Sequence, residues 1–208
     1  MAKADLENTL YLDVPAGRVV IEMRPDVAPN HVAQIKALAR KGFYDGIVFH
    51  RVIEGFMAQT GCPQGTGTGG SGKHIKAEFN REPHVRGTAS MARSQNPDSA
   101  DSQFFICFDD ASFLDGQYTV WGKVTSGMEH IDAVKKGNPR DNGSVSNPDK
   151  IVKMQVAADA VPAKKPAAAK PKAAAQPKAE AVKKPAAKKP AAAKTEAKPK
   201  KATAPKKK

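Results

Sequence analysis

The residues best suited to chemistry stand in one stretch, Phe49 to Gly61, which reads FHRVIEGFMAQTG. It sets an arginine, Arg51, beside Phe56, Met57 and Gln59. Read as a strand, it places Phe49 and Arg51 on one face and His50 and Val52 on the other, because side chains alternate along extended backbone. Glu54-Gly55 is a turn signal, and the chain then returns as a second extended run through Gln59. Arginine is almost never buried unpaired, so Arg51 among apolar neighbours is either paired structurally or used.

Other motifs offer rival chemistry and are weaker. The run Gly65–Gly72 (GTGTGGSG) matches GxGxxG, and with Lys73 it nearly matches a phosphate-binding loop. His74 occupies the position of the magnesium-binding hydroxyl, and Pro83 and Gly87 leave little room for the helix such a loop must open. A surface loop flanking a site is the better reading. The five histidines lack metal-ligand spacing, no GxSxG elbow is present, and neither cysteine has a histidine neighbour in sequence. No metal and no cofactor is therefore expected. Ser102–Ile106 (SQFFI) reads as a buried strand whose amide, Gln103, needs partners.

The elements that must position these residues are short. Residues 8–24 read as a hairpin with Leu10, Leu12 and Val14 inward. A helix runs from about Asn30 to Arg40, after Pro29 and before Gly42. Further strands are expected over Thr88–Met91, Gln103–Phe108, Tyr118–Val124 and Ile151–Val156, with a short extended piece at His74–Asn80. A second helix is expected over Met128–Lys136. About eight strands with two helices predict a mainly β fold: a closed eight-stranded antiparallel barrel with helices over its open ends. Closure would remove exposed strand edges.

Composition divides the chain. Of 34 Lys+Arg and 21 Asp+Glu, residues 158–208 carry 16 lysines and 3 acids, which leaves 18 of each sign in 1–157. The net charge of +13 therefore belongs to the C-terminal part. That part is Ala, Lys and Pro without aromatic, Leu or Ile, so it is expected to be a disordered basic tail on a domain of residues 1–157. Its lysines suit nucleic acid or another polyanion, read without sequence; the alternative is a solubilising extension. Two cysteines make no disulfide framework, the first residues lack a secretory h-region, and no run of about 18 apolar residues exists. A cytoplasmic protein without membrane contact is expected.

Taken jointly, FHRVIEGFMAQTG, GTGTGG, Ser90-Met91-Ala92, SQFFICF and FLDGQYTVWGKV resemble, in order and spacing, a cyclophilin-type peptidyl-prolyl cis-trans isomerase. The resemblance covers about residues 8–156 and implies the same barrel, with a groove for proline-containing polypeptides. Matched residue by residue, Arg51 is the catalytic arginine. Phe56, Met57, Phe105 and Leu114 form the proline pocket, Gln59 and Gln103 orient the substrate backbone, and Ala92, Arg93, Gly67 and Thr68 line the groove beyond. Phe113 stands where many eukaryotic members have Trp, which implies weak cyclosporin binding with activity retained. Tyr118 replaces a pocket histidine, and Arg93 replaces a small amide at the rim, which favours acidic residues near the substrate proline. The pattern is closer to bacterial members. A non-catalytic proline-peptide binding module is the alternative function.

Overall fold

The structure, a computed structural model, describes residues 5–160. The expectations for the basic segment beyond Ala160 lie outside the described residues. The first strands are β1 (Thr9–Val14) and β2 (Gly17–Met23), paired antiparallel from Thr9↔Glu22 to Val14↔Gly17. The alternation read from the sequence holds, because Leu10, Leu12 and Val14 are all buried.

Helix α1 (Pro29–Arg40) follows, with Pro29 in its first turn, where a missing N–H costs nothing. Its N-cap residue, Ala28, offers no side-chain acceptor. Glu78 supplies the cap from a distant loop, accepting from the amides of Asn30 (3.1 Å) and His31 (3.0 Å) and from His31 Nδ1 (2.6 Å). The remaining elements are β3 (Arg51–Ile53), β4 (Met57–Thr60), β5 (Thr88–Met91), β6 (Phe104–Cys107), β7 (Val120–Ser126), α2 (Met128–Asp132) and β8 (Lys153–Val156). Helix α2 stops four residues short of the expected end, and His74–Asn80 forms no strand, only a bridge from Ile75 to Ala100.

The eight strands form one antiparallel sheet in the order β3-β4-β6-β5-β7-β2-β1-β8. It curls around a core that includes Leu12, Ile21, Phe104, Ile106, Trp121 and Val156. Helix α1 packs against β8 and α2 against β2. The expected closed barrel is corrected here: the sheet is an open half-barrel, and β3 and β8 do not pair with each other. The physical reason lies in residues 138–150 (NPRDNGSVSNPDK), whose prolines and left-handed Asn142 (φ +47°) and Asn147 (φ +51°) cannot sustain a ladder. This loop instead covers the edge with single bonds. Val52 N–H donates to Gly143 O (2.8 Å), Phe49 N–H to Asp149 O (2.9 Å) and Ile151 N–H to Ile47 O (2.8 Å). Gly143 is required there: at φ +79° a Cβ would lie 3.1 Å from Val52 O and 2.4 Å from Ile53 Cγ1.

The expected pairing of faces at the start of β3 is also corrected. Phe49 is fully buried in the main core together with Val52, whereas Arg51 is only partly buried and faces outward. Strand alternation begins at Arg51; residues 49 and 50 precede the strand and follow the loop contact to Asp149.

Candidate active site

Cross-strand register assembles the site. Arg51 pairs with Gln59, Gln59 with Phe105, and Phe105 with Ser90, so one row crosses β3, β4, β6 and β5. Directly opposed side chains stand about 5 Å apart on one face. That face is the outer one, because Val52, Ala58, Phe104 and Ile106 point into the main core. On it lies a second apolar cluster of Met57, Phe105, Cys107, Ala111 and Leu114, with Phe56, Ala92 and Tyr118 against it.

A cavity of about 110 Å³ opens over this cluster, lined by Arg51, Phe56, Met57, Gln59, Ala92, Arg93, Phe105, Leu114 and Tyr118. A larger groove of about 320 Å³ adjoins it. The two share Gln59, Ala92 and Arg93, and the groove adds Gly67–Gly70, His74, Ser94, Ser99, Asp101 and Gln103. Every candidate residue from the sequence except Phe113 lines one of the two. Phe113 stands outside, 64% exposed, its ring 5.3 Å from that of Phe56.

Arg51 is held by neutral groups. Nε donates to the Asn142 carbonyl (3.0 Å), Nη2 to Asn142 Oδ1 (2.9 Å) and Nη1 to Gln59 Oε1 (3.2 Å). Among the described residues no carboxylate forms an ion pair with it. Burial pulls its pKa below the ordinary guanidinium value, with Tyr118 working weakly against this; the group stays protonated near neutrality. Of the five N–H bonds of the fork, three are committed to these acceptors. The two that remain belong to the terminal nitrogens of a side chain lining the smaller cavity.

Gln59 Nε2 donates in turn to Gln103 Oε1 (3.0 Å). Arg93 lies across the rim, its guanidinium carbon 4.6 Å from the Tyr118 ring centroid. Its Nε donates to Gln117 O (3.0 Å) and its Nη1 to Ser94 O (2.8 Å).

Sequence reasoning missed two parts of this assembly. Asn142 supplies two of the three anchors of Arg51, from a loop 91 residues away. Its signal was the Asn-Gly pair at 142–143, a left-handed turn signature. The second is a buried constellation behind the pocket. His84 Nδ1 meets Asp115 Oδ1 (2.8 Å), His84 Nε2 meets Ser90 Oγ (2.9 Å), and Ser90 Oγ donates to Thr119 O (3.0 Å). The residue types match a hydrolytic triad, but Ser90 and His84 are fully buried and the serine hydrogen is committed to a carbonyl. The group does structural duty: it ties the 115–119 segment to β5 and presents His84 face-on to Phe105 (6.2 Å, 19°).

Comparison with known proteins agrees with this geometry. Residues 9–156 match the family model described as cyclophilin type peptidyl-prolyl cis-trans isomerase/CLD. The chain belongs to the cyclophilin-type peptidyl-prolyl cis-trans isomerase family. It is 58% identical over 168 residues to a probable peptidyl-prolyl cis-trans isomerase of Brucella suis, covering 75% of this chain and 86% of that one. With peptidyl-prolyl cis-trans isomerase B of Bacillus subtilis it shares 47% over 135 residues, 64% of this chain and 94% of the relative. Among solved structures, cyclophilin AquaCyp293 from Hirschia baltica superposes with a TM-score of 0.68 at 29% identity, covering 76% of this chain and 77% of that one. A Cryptosporidium parvum cyclophilin crystallised in the presence of the dipeptide Ala-Pro gives 0.66 at 27%, covering 71% and 98%. The protein is thus a cyclophilin-type isomerase of X-Pro peptide bonds. Among the described residues of this cyclophilin no helix is long and apolar enough to cross a membrane.

Proposed function

We propose that Arg51 is the catalytic group and that it acts on the nitrogen of the isomerising X-Pro bond. Amide resonance sets a rotation barrier of about 18–20 kcal/mol. As the bond twists, the nitrogen becomes pyramidal and gains a lone pair that the planar amide lacks. A guanidinium N–H aimed at that atom binds the twisted state better than the planar one, which is what lowers a barrier. No nucleophile, proton transfer, metal or cofactor enters the step.

One observation carries this reading: Arg51 is oriented by Asn142 and Gln59 through neutral oxygens, so its charge is fixed in direction without being cancelled. Phe56, Met57, Phe105 and Leu114 hold the pyrrolidine ring, with Tyr118 as the far wall. Gln59, Gln103, Ala92, Gly67 and Thr68 orient the peptide running into the larger groove. Arg93 favours an acidic side chain near the proline. The test is a proline-isomerisation assay on the wild type and Arg51→Ala. Loss of catalysis supports the proposal, and equal rates would leave only a proline-peptide binding module.

Phe113 is an exposed phenylalanine without an indole N–H, so cyclosporin binds weakly. The basic segment 158–208 contacts nucleic acid or another polyanion as an appendage to the isomerase domain of 1–157, with lysines neutralising phosphates. Filter binding to DNA and RNA across a salt series, with and without that segment, tests this; binding independent of salt or of the segment would exclude it. A cytoplasmic location fits the two free thiols, Cys62 and Cys107.

A further inference from the structure

The glycine-rich loop beside the larger groove has no regular structure of its own, yet two of its residues are gripped from both sides. The N–H groups of Gly67 and Gly69 both donate to Cys62 Sγ, at 3.3 Å each. The carbonyls of the same two glycines both accept from Gln103 Nε2, at 2.8 Å each. A thiol on one side and an amide on the other therefore fix the same pair of residues, the thiol through the peptide unit before each glycine and the amide through the one after it. Asp101 holds the far end of the loop separately, accepting from the amides of Ser71 (2.8 Å) and Gly72 (2.9 Å).

This grip has a direction. With both Nε2 hydrogens of Gln103 committed to carbonyls, its Oε1 must be the atom that faces Gln59. Gln59 must then present its Nε2 to Gln103 and its Oε1 to Arg51 Nη1. Flipping either amide would set donor against donor, since a guanidinium only donates. The position of the loop carbonyls thus decides how the third anchor of Arg51 is presented. Cys62 is the only side chain that holds the Gly67 and Gly69 amides among the described residues.

We propose that Cys62 is a positioning residue for Arg51, acting through the Gly67–Gly69 loop and the Gln103–Gln59 amide pair. This rests on the reading of Arg51 as the catalytic group. Cys62 is fully buried, so its sulfur acts as an acceptor within the fold and not as a nucleophile in solvent. Its electrostatics agree: burial pushes the thiol pKa up, and the amides of Gly69, Thr66, Gly67 and Gln64 more than offset this and bring it below the ordinary value.

Two variants separate the acceptor from the volume it fills. Cys62→Val keeps the bulk and removes the acceptor; Cys62→Ser keeps an acceptor and loses bulk. Turnover and KM are measured on an X-Pro peptide, with thermal unfolding of each variant recorded, and Cys62→Ala replaces Cys62→Val if the latter does not fold. The expected result is a fall in kcat of about tenfold for Cys62→Val with KM within threefold, about what one lost orienting contact is worth. Cys62→Ser is expected within threefold of the wild type. In a Gln103→Ala background the valine substitution should add less than a twofold loss, because the link is already cut. Wild-type kcat in Cys62→Val, equal loss in both cysteine variants, or full additivity with Gln103→Ala would each overturn the proposal. Arg51→Ala is run in parallel. If it turns over like the wild type, the reading of Arg51 fails; if it is inactive while Cys62→Val is unimpaired, only the Cys62 inference fails.

Discussion

Asn142 offers the sharpest perturbation of the site, because its backbone and its side chain hold Arg51 separately. Its carbonyl accepts from Nε and its Oδ1 from Nη2. Substitution to glycine removes only the second bond and leaves the left-handed backbone at φ +47° unstrained. A hydrogen bond to a charged group contributes about 1.5–3 kcal/mol. Arg51 is only partly buried and keeps two anchors, so the lower end, about 1.5 kcal/mol, is the appropriate figure. That corresponds to about a tenfold loss of kcat/KM. Asn142→Ala removes the same bond and adds about 1 kcal/mol of left-handed strain. The two variants should therefore match in kcat/KM while alanine unfolds at lower denaturant. The assay is protease-coupled isomerisation of a neutral X-Pro peptide, with urea unfolding alongside. A glycine variant at wild-type kcat/KM would refute the reasoning, since Arg51 would then need no side-chain anchor from the edge loop.

Gln59→Leu should lower kcat/KM by about tenfold, since it removes one anchor of Arg51 and the partner of Gln103 together; peptide kinetics check this. Acidification should destabilise the fold from about pH 6.5 downward. Burial holds His31 below its ordinary pKa against the pull of Glu78, so protons bind the unfolded chain preferentially below about 6.5. Burial raises Glu78, but hydrogen bonds from His31 and Asn30 bring it below the usual carboxylate value. Its contribution is present above about pH 4.3 and lost as pH falls through its folded value. Glu78→Ala should cost about 2 kcal/mol at pH 7 through loss of the cap of α1, measured by urea unfolding. Phe113→Trp should tighten cyclosporin binding in a calorimetric titration while kcat/KM stays within about threefold, because residue 113 lies outside the cavity lining.

The sequence showed most of the fold and nearly all of the cavity lining, for a local reason. Leu10, Leu12 and Val14 announce β1 by alternation, and Pro29 and Gly42 bracket α1. Most of the lining falls in contiguous blocks, 51–59 and 103–118, so their motifs place it. What sequence did not show is tertiary. The closed barrel failed because residues 138–150 cover the edge of β3 with isolated bonds, a choice that strand periodicity does not encode. Phe49 changed faces because the contact of its amide with Asp149 precedes the strand. Helix α2 ends early, and the Lys135 amide donates to Asp149 Oδ2 (2.8 Å) in place of a helical bond. Asn142 and His84 reach the site from 91 and 31 residues away from their partners, and Cys62, though it follows Gly61 directly, acts through bonds to Gly67 and Gly69 that its residue type does not announce.

The central claim is that Arg51 stabilises the twisted bond and not the bound peptide. The direct measurement is exchange spectroscopy by NMR on an X-Pro peptide, giving the cis–trans rate on the enzyme and the affinity separately for the wild type and Arg51→Ala. Loss of one aimed donor predicts that on-enzyme exchange slows by about 10²–10³ while Kd changes by less than about fivefold. Exchange at the wild-type rate, or a defect confined to Kd, would contradict it.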